Sequence, residues 1–345
     1  MTRIVLKFGG TSVADAECIE RAADKIHAEV EREHQVAVVV SAMAGVTNEL
    51  IAYCRSISPL HDAREYDAVV ASGENVTSGL LALALQKRGV SARSWQGWQV
   101  PIICSDVHGK ARILDIDVKE MSERLDENEV AVLAGFQGIT SRNRITTLGR
   151  GGSDTTAVAL AAALGAERCD IYTDVKGVYT TDPRIVPTAR MLERVSYEEM
   201  LEMASLGAKV LQTRSVEMAM KQKVPVQVLS SFEMPIGSDL PGTLVTREED
   251  IVEQEIVNGI TYNNDEAKIT LLKVPDIPGV AAKIFGPLAD SAINVDMIVQ
   301  NVSQDGKLTD LTFTVARTDL SRAVEALNQC EELKGSEIRT DEERS

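Results

Sequence analysis

The chain has 345 residues, enough for two or three domains with buried cores. Hydrophobic residues make up 44% of it and charged residues 26%, the ordinary balance of a globular protein. The formal net charge of −16 repels nucleic acid and anionic lipid, so neither is an expected partner, and an anionic substrate needs a local cationic site. No apolar run approaches ~20 residues and the N-terminus lacks the pattern of a signal peptide, so we expect a cytoplasmic protein without a membrane span.

The five cysteines are scattered and form no C-x-x-C pair. This usage favours buried thiols in a reducing compartment over a disulfide or zinc framework. The four histidines show no metal-ligand spacing either, so we expect no metal site built from protein ligands.

Residues 1–245 alternate short β-rich runs with longer helical patterns, which predicts an α/β domain with an open, mostly parallel sheet covered by helices. Apolar runs predict buried strands, and apolar residues at helical spacing predict the helices between them. The predicted strands are Ile4–Phe8, Val36–Ala42, Val130–Phe136 and Cys169–Thr173. The predicted helices are Asp15–Glu33, Ala68–Lys87, Thr155–Leu164 with Asp154 at its N-terminus, and Ser196–Leu206, which opens with a capping-box pattern.

The composition changes between Glu233 and Asp250, where prolines, glycines and a T-R-E-E-D charge run indicate the approach to a domain boundary. Beyond it we predict strand Ala267–Val274, helix Val280–Ser291, strand Val295–Val302, a turn at Asp305–Gly306, strand Leu308–Ala316, helix Leu320–Cys330 and a short strand near Ser336–Arg339. This order is most of a ferredoxin-like α+β unit. We therefore expect a first domain at 1–245, a linker at 246–266 and a second domain at 267–340.

Two of the predicted turns place glycines directly after a buried strand. Lys7–Ser12 (K-F-G-G-T-S) lets backbone N–H groups approach a phosphate while Lys7 adds a full positive charge. It is not the P-loop pattern, and a tight strand–helix turn explains it equally well when it is taken alone. Val40–Thr47 (V-S-A-M-A-G-V-T) is a similar turn with a weaker signal.

Two further loops carry charged and hydroxyl side chains. In Thr146–Thr156, Arg150 can bind a carboxylate bidentately and Ser153 can add a hydrogen-bond donor, although a capped helix with a flexible lead-in would look similar. Tyr172–Arg184 holds two aspartates, an arginine and hydroxyls after a strand, where open α/β sheets bind ligands. A generic turn-rich loop is the alternative interpretation.

Taken together, these motifs resemble the aspartate kinases of the amino acid kinase superfamily. The matching segments run in order through residues 1–250: KFGGTSVAD, VVVSAMAGVTNEL, SGENVTSGLLA, GWQ, HGKARI, AGFQGIT, TTLGRGGSDTTAVALAAAL, YTDVKGVYTTDPR and LGAKVLQTRSVEMA. One departure is Thr213 in L-Q-T-R, where the family commonly has proline, which puts a local turn in doubt. The resemblance implies a three-layer amino acid kinase fold.

The implied reaction is the ATP-dependent phosphorylation of the L-aspartate side-chain carboxylate, the entry to lysine, threonine and methionine biosynthesis. The implied cofactors are ATP and a Mg²⁺ ion held mainly by ATP oxygens and water. A carboxylate with a pKa of ~4 is ionised at pH 7, so it needs positioning and nearby positive charge rather than a general base.

Roles carry over from the resemblance residue by residue. The nucleotide site is expected to include Lys7, Gly9, Gly10, Ser41, Thr173, Asp174, Tyr179, Asp182, Arg184 and Lys209, with Lys7, Asp174 and Lys209 as the catalytic set. The aspartate site is expected to include Thr47, Glu74, Arg150 and Ser153, with Arg150 on a carboxylate and Glu74 on the ammonium. A helix-surface carboxylate is the alternative for Glu74, and His108 is a further candidate near the substrate.

The segments Val274–Ala281 and Ile293–Asn301 resemble the ACT modules of these kinases, which pair edge to edge and bind lysine or threonine. The implied effector-site residues are Asp276, Gly279, Val280, Ala281, Asn294, Asp296, Gln300 and Asn301. Family members usually carry two such modules, and the strand before the first module, here Ile256–Tyr262, belongs to the second, so we expect this strand to lack its usual partner. We expect a homodimer or larger oligomer formed through the ACT units, with weakened effector inhibition.

Two other functions stay open. One is a kinase of the same superfamily for glutamate, acetylglutamate or a nucleotide, which the ACT module and the Thr47, Glu74 and G-R-G-G-S set disfavour. The other is a non-catalytic regulatory subunit that senses amino acids, which the intact Lys7 and Arg150 disfavour.

Overall fold

The computed structural model describes residues 1–208, 210–233, 236–239, 242–251, 259–262, 265–291, 293–302, 308–330, 333 and 336–341. The chain forms two compact units, Met1–Thr261 and Tyr262–Ser345, and each has its own hydrophobic core.

The first unit combines strands and helices in alternation. Its strands are β1 Arg3–Phe8, β2 Gln35–Val40, β3 Ala92–Trp95, β4 Ile102–Cys104, β5 Ile113–Ile116, β6 Val130–Ala134, β7 Gln137–Thr140, β8 Ile145–Thr147, β9 Arg168–Thr173, β10 Arg194–Ser196, β11 Val226–Ser230 and β12 Thr243–Thr246. Its helices are α1 Ala16–Glu31, α2 Val46–Ile57, α3 Ala63–Val70, α4 Ser72–Lys87, α5 Lys119–Asp126, α6 Gly152–Leu164, α7 Tyr197–Ser205 and α8 Thr213–Gln222.

An eight-stranded sheet in the order β10-β12-β11-β9-β1-β2-β6-β3 forms the centre of this unit. The pairs are parallel except for β11 with β12. Alternate residues of β1 enter two different cores, because Val5 packs on one face of the sheet and Ile4 and Leu6 on the other. Both faces are therefore covered, which explains the continuous apolar runs and confirms the three-layer α/β fold. A smaller sheet in the order β5-β4-β7-β8 accompanies it.

Two predicted helices differ from the structure near the site. The helix predicted over Ala68–Lys87 is divided at Ala71, where the Ser72 hydroxyl donates to the Val69 carbonyl and competes with the helical hydrogen bonds. The helix predicted from Thr155 begins at Gly152, with Gly151 as N-cap at φ 71°, so Asp154 lies within its first turn.

The stretch Ala63–Lys87 is also the one place in the described residues where a helix has the length and apolar composition needed to cross a membrane. In its most apolar window, 56% is buried inside the protein. Core helices of globular proteins share these properties, so the stretch is weak support for a membrane span.

The second unit contains β13 Glu266–Pro275, α9 Val280–Asp290, β14 Val295–Val302, β15 Leu308–Ala316, α10 Leu320–Asn328 and β16 Glu337–Asp341. Its antiparallel sheet has the order β14-β15-β13-β16. The sequence pattern predicted most of a ferredoxin-like unit, and β16 completes it. Leu311, Phe313 and Val315 alternate along β15 into the core. The turn predicted at Asp305–Gly306 lies outside the described residues.

Candidate active site

A cavity of about 320 Å³ lies where β1, β2 and β6 end and α6 begins. This is the edge at which open parallel sheets bind ligands. Its lining residues are Lys7, Gly10, Ser41, Ala42, Met43, Ala44, Gly45, Thr47, Glu74, Phe136, Gly149, Arg150, Gly151, Gly152, Ser153, Asp154 and Gln212. The structure thus brings all four expected aspartate-site residues together with Lys7, Gly10 and Ser41.

Lys7 reaches the cavity from the end of β1 and is only 8% exposed. Its ammonium Nζ lies 2.5 Å from Asp154 Oδ1, and this carboxylate is equally buried. A buried charge needs a partner, and the Asp154 carboxylate fixes where the Lys7 ammonium sits. Asp154 is a site residue that sequence reasoning missed, because its position suggested only a helix N-terminus. An acidic residue opening a helix beside a cluster of glycines was the available signal.

The turns after β1 and β2 lie against each other. The Ser41 backbone N–H donates to the Phe8 carbonyl at 3.1 Å, and a Cβ on Gly10 would lie 3.0 Å from the Ala42 carbonyl oxygen. Glycine at position 10 therefore allows the two backbones to approach. The two turns therefore lie side by side next to Lys7 in the lining of the cavity.

Glu74 lies in the first turn of α4 and is 3% exposed. Burial raises the pKa of its carboxyl to about 7, and hydrogen bonds from the backbone N–H groups of Ala42 and Glu74 itself partly offset this rise. Within the described part of the chain, Glu74 Oε2 has no hydrogen-bond partner. A buried carboxylate that lines a cavity with an unpaired oxygen is suited to a cationic ligand group such as an ammonium. The alternative of a helix-surface carboxylate is wrong.

The loop leading into α6 supplies the opposite charge. Gly149 and Gly151 have φ angles of 79° and 71°, a region that favours glycine, and between them Arg150 is exposed at the cavity. Ser153 is buried in the first turn of α6, whose free N–H groups add partial positive charge. Gln212, a second missed residue, covers Gly151 so closely that a Cβ there would lie 2.1 Å from Gln212 Cγ.

Except for Gly9, which follows β1, the remaining described nucleotide-site candidates lie at the end of β9 and on the loop after it. Of the described residues, Gly9, Thr173, Asp174, Tyr179, Asp182 and Arg184 are not part of the cavity lining. The loop does begin beside the site, because the Gly9 N–H donates to the Tyr172 carbonyl at 3.2 Å. Asp174 is exposed and accepts a hydrogen bond from the Thr173 hydroxyl, while Arg184 forms an ion pair with Asp182 at 2.7 Å. Lys209 lies outside the described residues.

His108 does not line the cavity either, and its ring binds the buried carboxylate of Asp67 instead.

The effector-site candidates lie around the start of α9 and along β14. Gly279 is the N-cap of α9 at φ 86°, and Val280 is buried in the core of the second unit. The other six, Asp276, Ala281, Asn294, Asp296, Gln300 and Asn301, are exposed. Since β14 is an edge strand of its sheet, Asp296, Gln300 and Asn301 are accessible from outside this unit.

Comparison with known proteins gives two family matches. The amino acid kinase family model matches residues 2–230, and the ACT domain model matches residues 268–332. An aspartate kinase of Pseudomonas putida is 54% identical over 340 residues, covering 98% of this chain and 81% of that protein. An aspartokinase of Pseudomonas aeruginosa is 55% identical, covering 95% of this chain and 79% of that protein.

Solved structures agree with these relatives. Escherichia coli aspartokinase III in complex with lysine and aspartate superposes with a TM-score of 0.77 at 28% identity, covering 98% of this chain and 84% of that chain. The aspartate kinase from Synechocystis gives a TM-score of 0.63 at 40% identity. The present chain is covered to 98% in that comparison but spans only 58% of the Synechocystis chain.

Proposed function

Because the chain belongs to the aspartate kinases of the amino acid kinase family, we propose that it transfers the γ-phosphoryl group of ATP to the side-chain carboxylate of L-aspartate. The product is 4-phospho-L-aspartate. The observation that carries the proposal is the single cavity that combines Lys7, Glu74, Arg150 and Ser153. Aspartate has one ammonium and two carboxylates, and the cavity offers an anionic and a cationic group to receive them.

Substrate binding follows from the charges. The Glu74 carboxylate receives the ammonium, and Arg150 binds a carboxylate through its planar fork, assisted by Ser153 and Thr47. These contacts hold the second carboxylate toward Lys7. Fixing both reactants in this way supplies much of the catalysis, since a phosphoryl transfer needs positioning above all.

The transfer itself needs no proton. An oxygen of the ionised side-chain carboxylate forms a bond to the γ-phosphorus as the bond to the bridging β–γ oxygen breaks, and ADP leaves. The main obstacle is repulsion between two anions. Lys7 offsets it by placing positive charge beside the transferred group, and Asp154 holds the Lys7 ammonium in position. We also assign Asp174 and Lys209 to the catalytic set, as the family resemblance implies.

The nucleotide is assigned to the turn after β1 and the loop after β9. E. coli aspartokinase III has been solved with aspartate and ADP, which supports ATP as the donor here. Gly9, Gly10 and Ser41 would receive the phosphates, with Thr173, Tyr179, Asp182 and Arg184 around the rest of the nucleotide. A Mg²⁺ ion would be held by ATP oxygens and water.

We assign residues 1–245 to catalysis, 246–266 to a linker and 267–340 to regulation, in a cytoplasmic enzyme. The lysine complex of E. coli aspartokinase III supports lysine as an effector class, with threonine as the other, bound through the candidate residues around α9 and β14.

An ADP-release assay with aspartate, glutamate or no acceptor tests the proposed function. We expect release that depends on aspartate and is at the background level with glutamate. Equal rates with both acceptors would indicate another carboxylate kinase, and no acceptor-dependent release would indicate a non-catalytic subunit.

A further inference from the structure

The loop 148–151, which carries Arg150 between β8 and α6, is called the substrate loop here. A second polar cluster adjoins it outside the cavity lining and is centred on the fully buried carboxylate of Asp67 in α3. The Thr147 hydroxyl donates to its Oδ1 at 2.6 Å. Its Oδ2 accepts from His108 Nδ1 at 2.8 Å, the Gly109 N–H at 3.0 Å and the Thr146 hydroxyl at 3.2 Å. Four donors satisfy a charge that would otherwise be costly to bury.

These donors come from the two segments that support the substrate loop. Thr146 and Thr147 end β8, three residues before Arg150. His108 and Gly109 belong to the loop on which Gly149 rests, since a Cβ on Gly149 would lie 2.9 Å from the Gly109 carbonyl oxygen. The position of Gly109 therefore sets the position of Gly149, the neighbour of Arg150.

A half-buried cation, Arg214, holds the same two segments from another side. The Arg214 guanidinium donates to the Leu148 carbonyl and, at 2.9 Å, to the Ala111 carbonyl. The Ala111 N–H in turn donates to the Thr147 carbonyl at 3.0 Å. The Leu148 and Ala111 carbonyls are thus bonded to Arg214, and the Gly109 N–H is bonded to Asp67.

We propose that Asp67 is a positioning residue for aspartate: it fixes β8 and the His108–Ala111 loop, and through them the Arg150 guanidinium and Ser153. The inference rests on the proposed assignment of Arg150 to the substrate. A carboxylate suits the role because its two oxygens accept from four donors, whereas an amide presents one oxygen and two N–H groups of its own. An error of about 1 Å in the position of a substrate-binding group is enough for a large loss of rate.

The test is the steady-state kinetics of the 345-residue protein with the substitution Asp67→Asn. We expect the KM for aspartate to rise about tenfold or more while the KM for ATP stays within about twofold, because only the substrate loop loses the hydrogen bonds that hold its neighbouring segments. Glu29→Gln is the matched control. Glu29 is an equally buried carboxylate that accepts from Ser238 and pairs with His34, and none of these residues lines the cavity. The control is expected to lose thermal stability without changing the KM for aspartate.

Thr147→Val is the second variant and decides the matter if Asp67→Asn does not fold. It keeps the shape of the side chain and removes only the 2.6 Å hydrogen bond, so the same selective rise in the KM for aspartate is expected at smaller size. The proposal is overturned if a folded variant keeps the wild-type KM for aspartate, or if both KM values rise together. It is also overturned if Glu29→Gln raises the KM for aspartate equally. Absence of aspartate-dependent ADP release by the wild-type protein would instead overturn the proposed function.

Discussion

Among the individual residues, the proposed chemistry depends most on Lys7 and its ion pair with Asp154. We expect Lys7→Ala to lower kcat by about 10²–10³-fold, because one charge directed at the transferred phosphoryl group is lost. The fold should persist, since Lys7 lies at the end of β1 and lines the cavity rather than the apolar core. Kinetics together with circular dichroism check both parts. A folded variant within threefold of wild-type kcat would remove Lys7 from the mechanism.

The ionised carboxylate of Glu74 is needed to bind the ammonium of aspartate, but burying it lowers the stability of the folded protein. Burial raises the pKa of its carboxyl from 4.5 to about 7, so between these values the folded state holds a proton that the unfolded state has released. The protonated Glu74 carboxyl is compatible with burial, so the free energy of unfolding has its full value below pH 4.5. That part of the stability is lost as the pH rises through 7 and the buried carboxyl ionises. The loss is on the order of 3 kcal/mol above pH 7.

Glu74→Gln cannot ionise and should escape this loss. We expect its melting temperature relative to wild type to increase between pH 5 and pH 8, measured without substrate. At the same time the KM for aspartate should rise, because the ammonium loses its counter-charge. The wild-type affinity for aspartate should improve from pH 6 to pH 8 as Glu74 ionises. A stability difference between the two proteins that does not change with pH would contradict the assigned cause of the pKa shift.

Among the secondary-structure elements, the turn before α8 is well formed, although Thr213 stands where the family commonly has proline. Thr213 is the first helical residue of α8, and the preceding Gln212 has φ −85° and ψ 136°. Proline is favoured at the first helical position, and the residue before a proline prefers such an extended conformation. The backbone is thus already the one that the family's usual proline requires.

We therefore expect Thr213→Pro to stabilise the protein by about 0.4–1 kcal/mol, through lower entropy of the unfolded chain, with kinetics unchanged. Thermal melting and steady-state assays measure this. Thr213→Ala is the control for loss of the hydroxyl alone. A lower melting temperature for the proline variant would show that position 213 does not have the backbone conformation of a first helical residue.

Local features of the elements could be predicted from the residue pattern, and the family resemblance predicted which distant residues share the site, but individual hydrogen bonds between distant elements could not be predicted. The S-Y-E-E pattern gave the capping box of α7, where Ser196 accepts from the Glu199 N–H at 3.2 Å and Glu199 accepts from the Ser196 N–H at 3.0 Å. By contrast, Asp67 meets Thr147 across 80 positions of sequence. Nothing near Asp67 in the chain indicates that partner, because the fold alone brings α3 and β8 together.

For the protein as a whole, the edge strand β14 is notable because it exposes apolar side chains. Met297, Ile298 and Val299 are 69%, 53% and 44% exposed on this edge strand. An exposed apolar edge favours pairing with another chain. The predicted orphan strand Ile256–Tyr262 lies partly outside the described residues, although the Ile260 N–H donates to the Thr180 carbonyl.

We expect the 345-residue protein to be at least a dimer, and removal of residues 262–345, the second compact unit, to lower its oligomeric state. Light scattering of both proteins gives the masses. Met297→Lys with Val299→Lys is the milder variant, which should weaken association and leave the first unit intact. If the shortened protein keeps the oligomeric state of the parent, the first units associate by themselves.

The claim that this cavity directs phosphorylation to the aspartate side chain is tested most directly by identifying the product. An acyl phosphate reacts with hydroxylamine to give a hydroxamate, so a reaction with ATP, Mg²⁺, aspartate and hydroxylamine can be analysed by mass spectrometry and NMR. We expect β-aspartyl hydroxamate in a one-to-one ratio with ADP, and its loss in Lys7→Ala. ADP formed without hydroxamate, or a hydroxamate on the α-carboxylate, would contradict the proposed function.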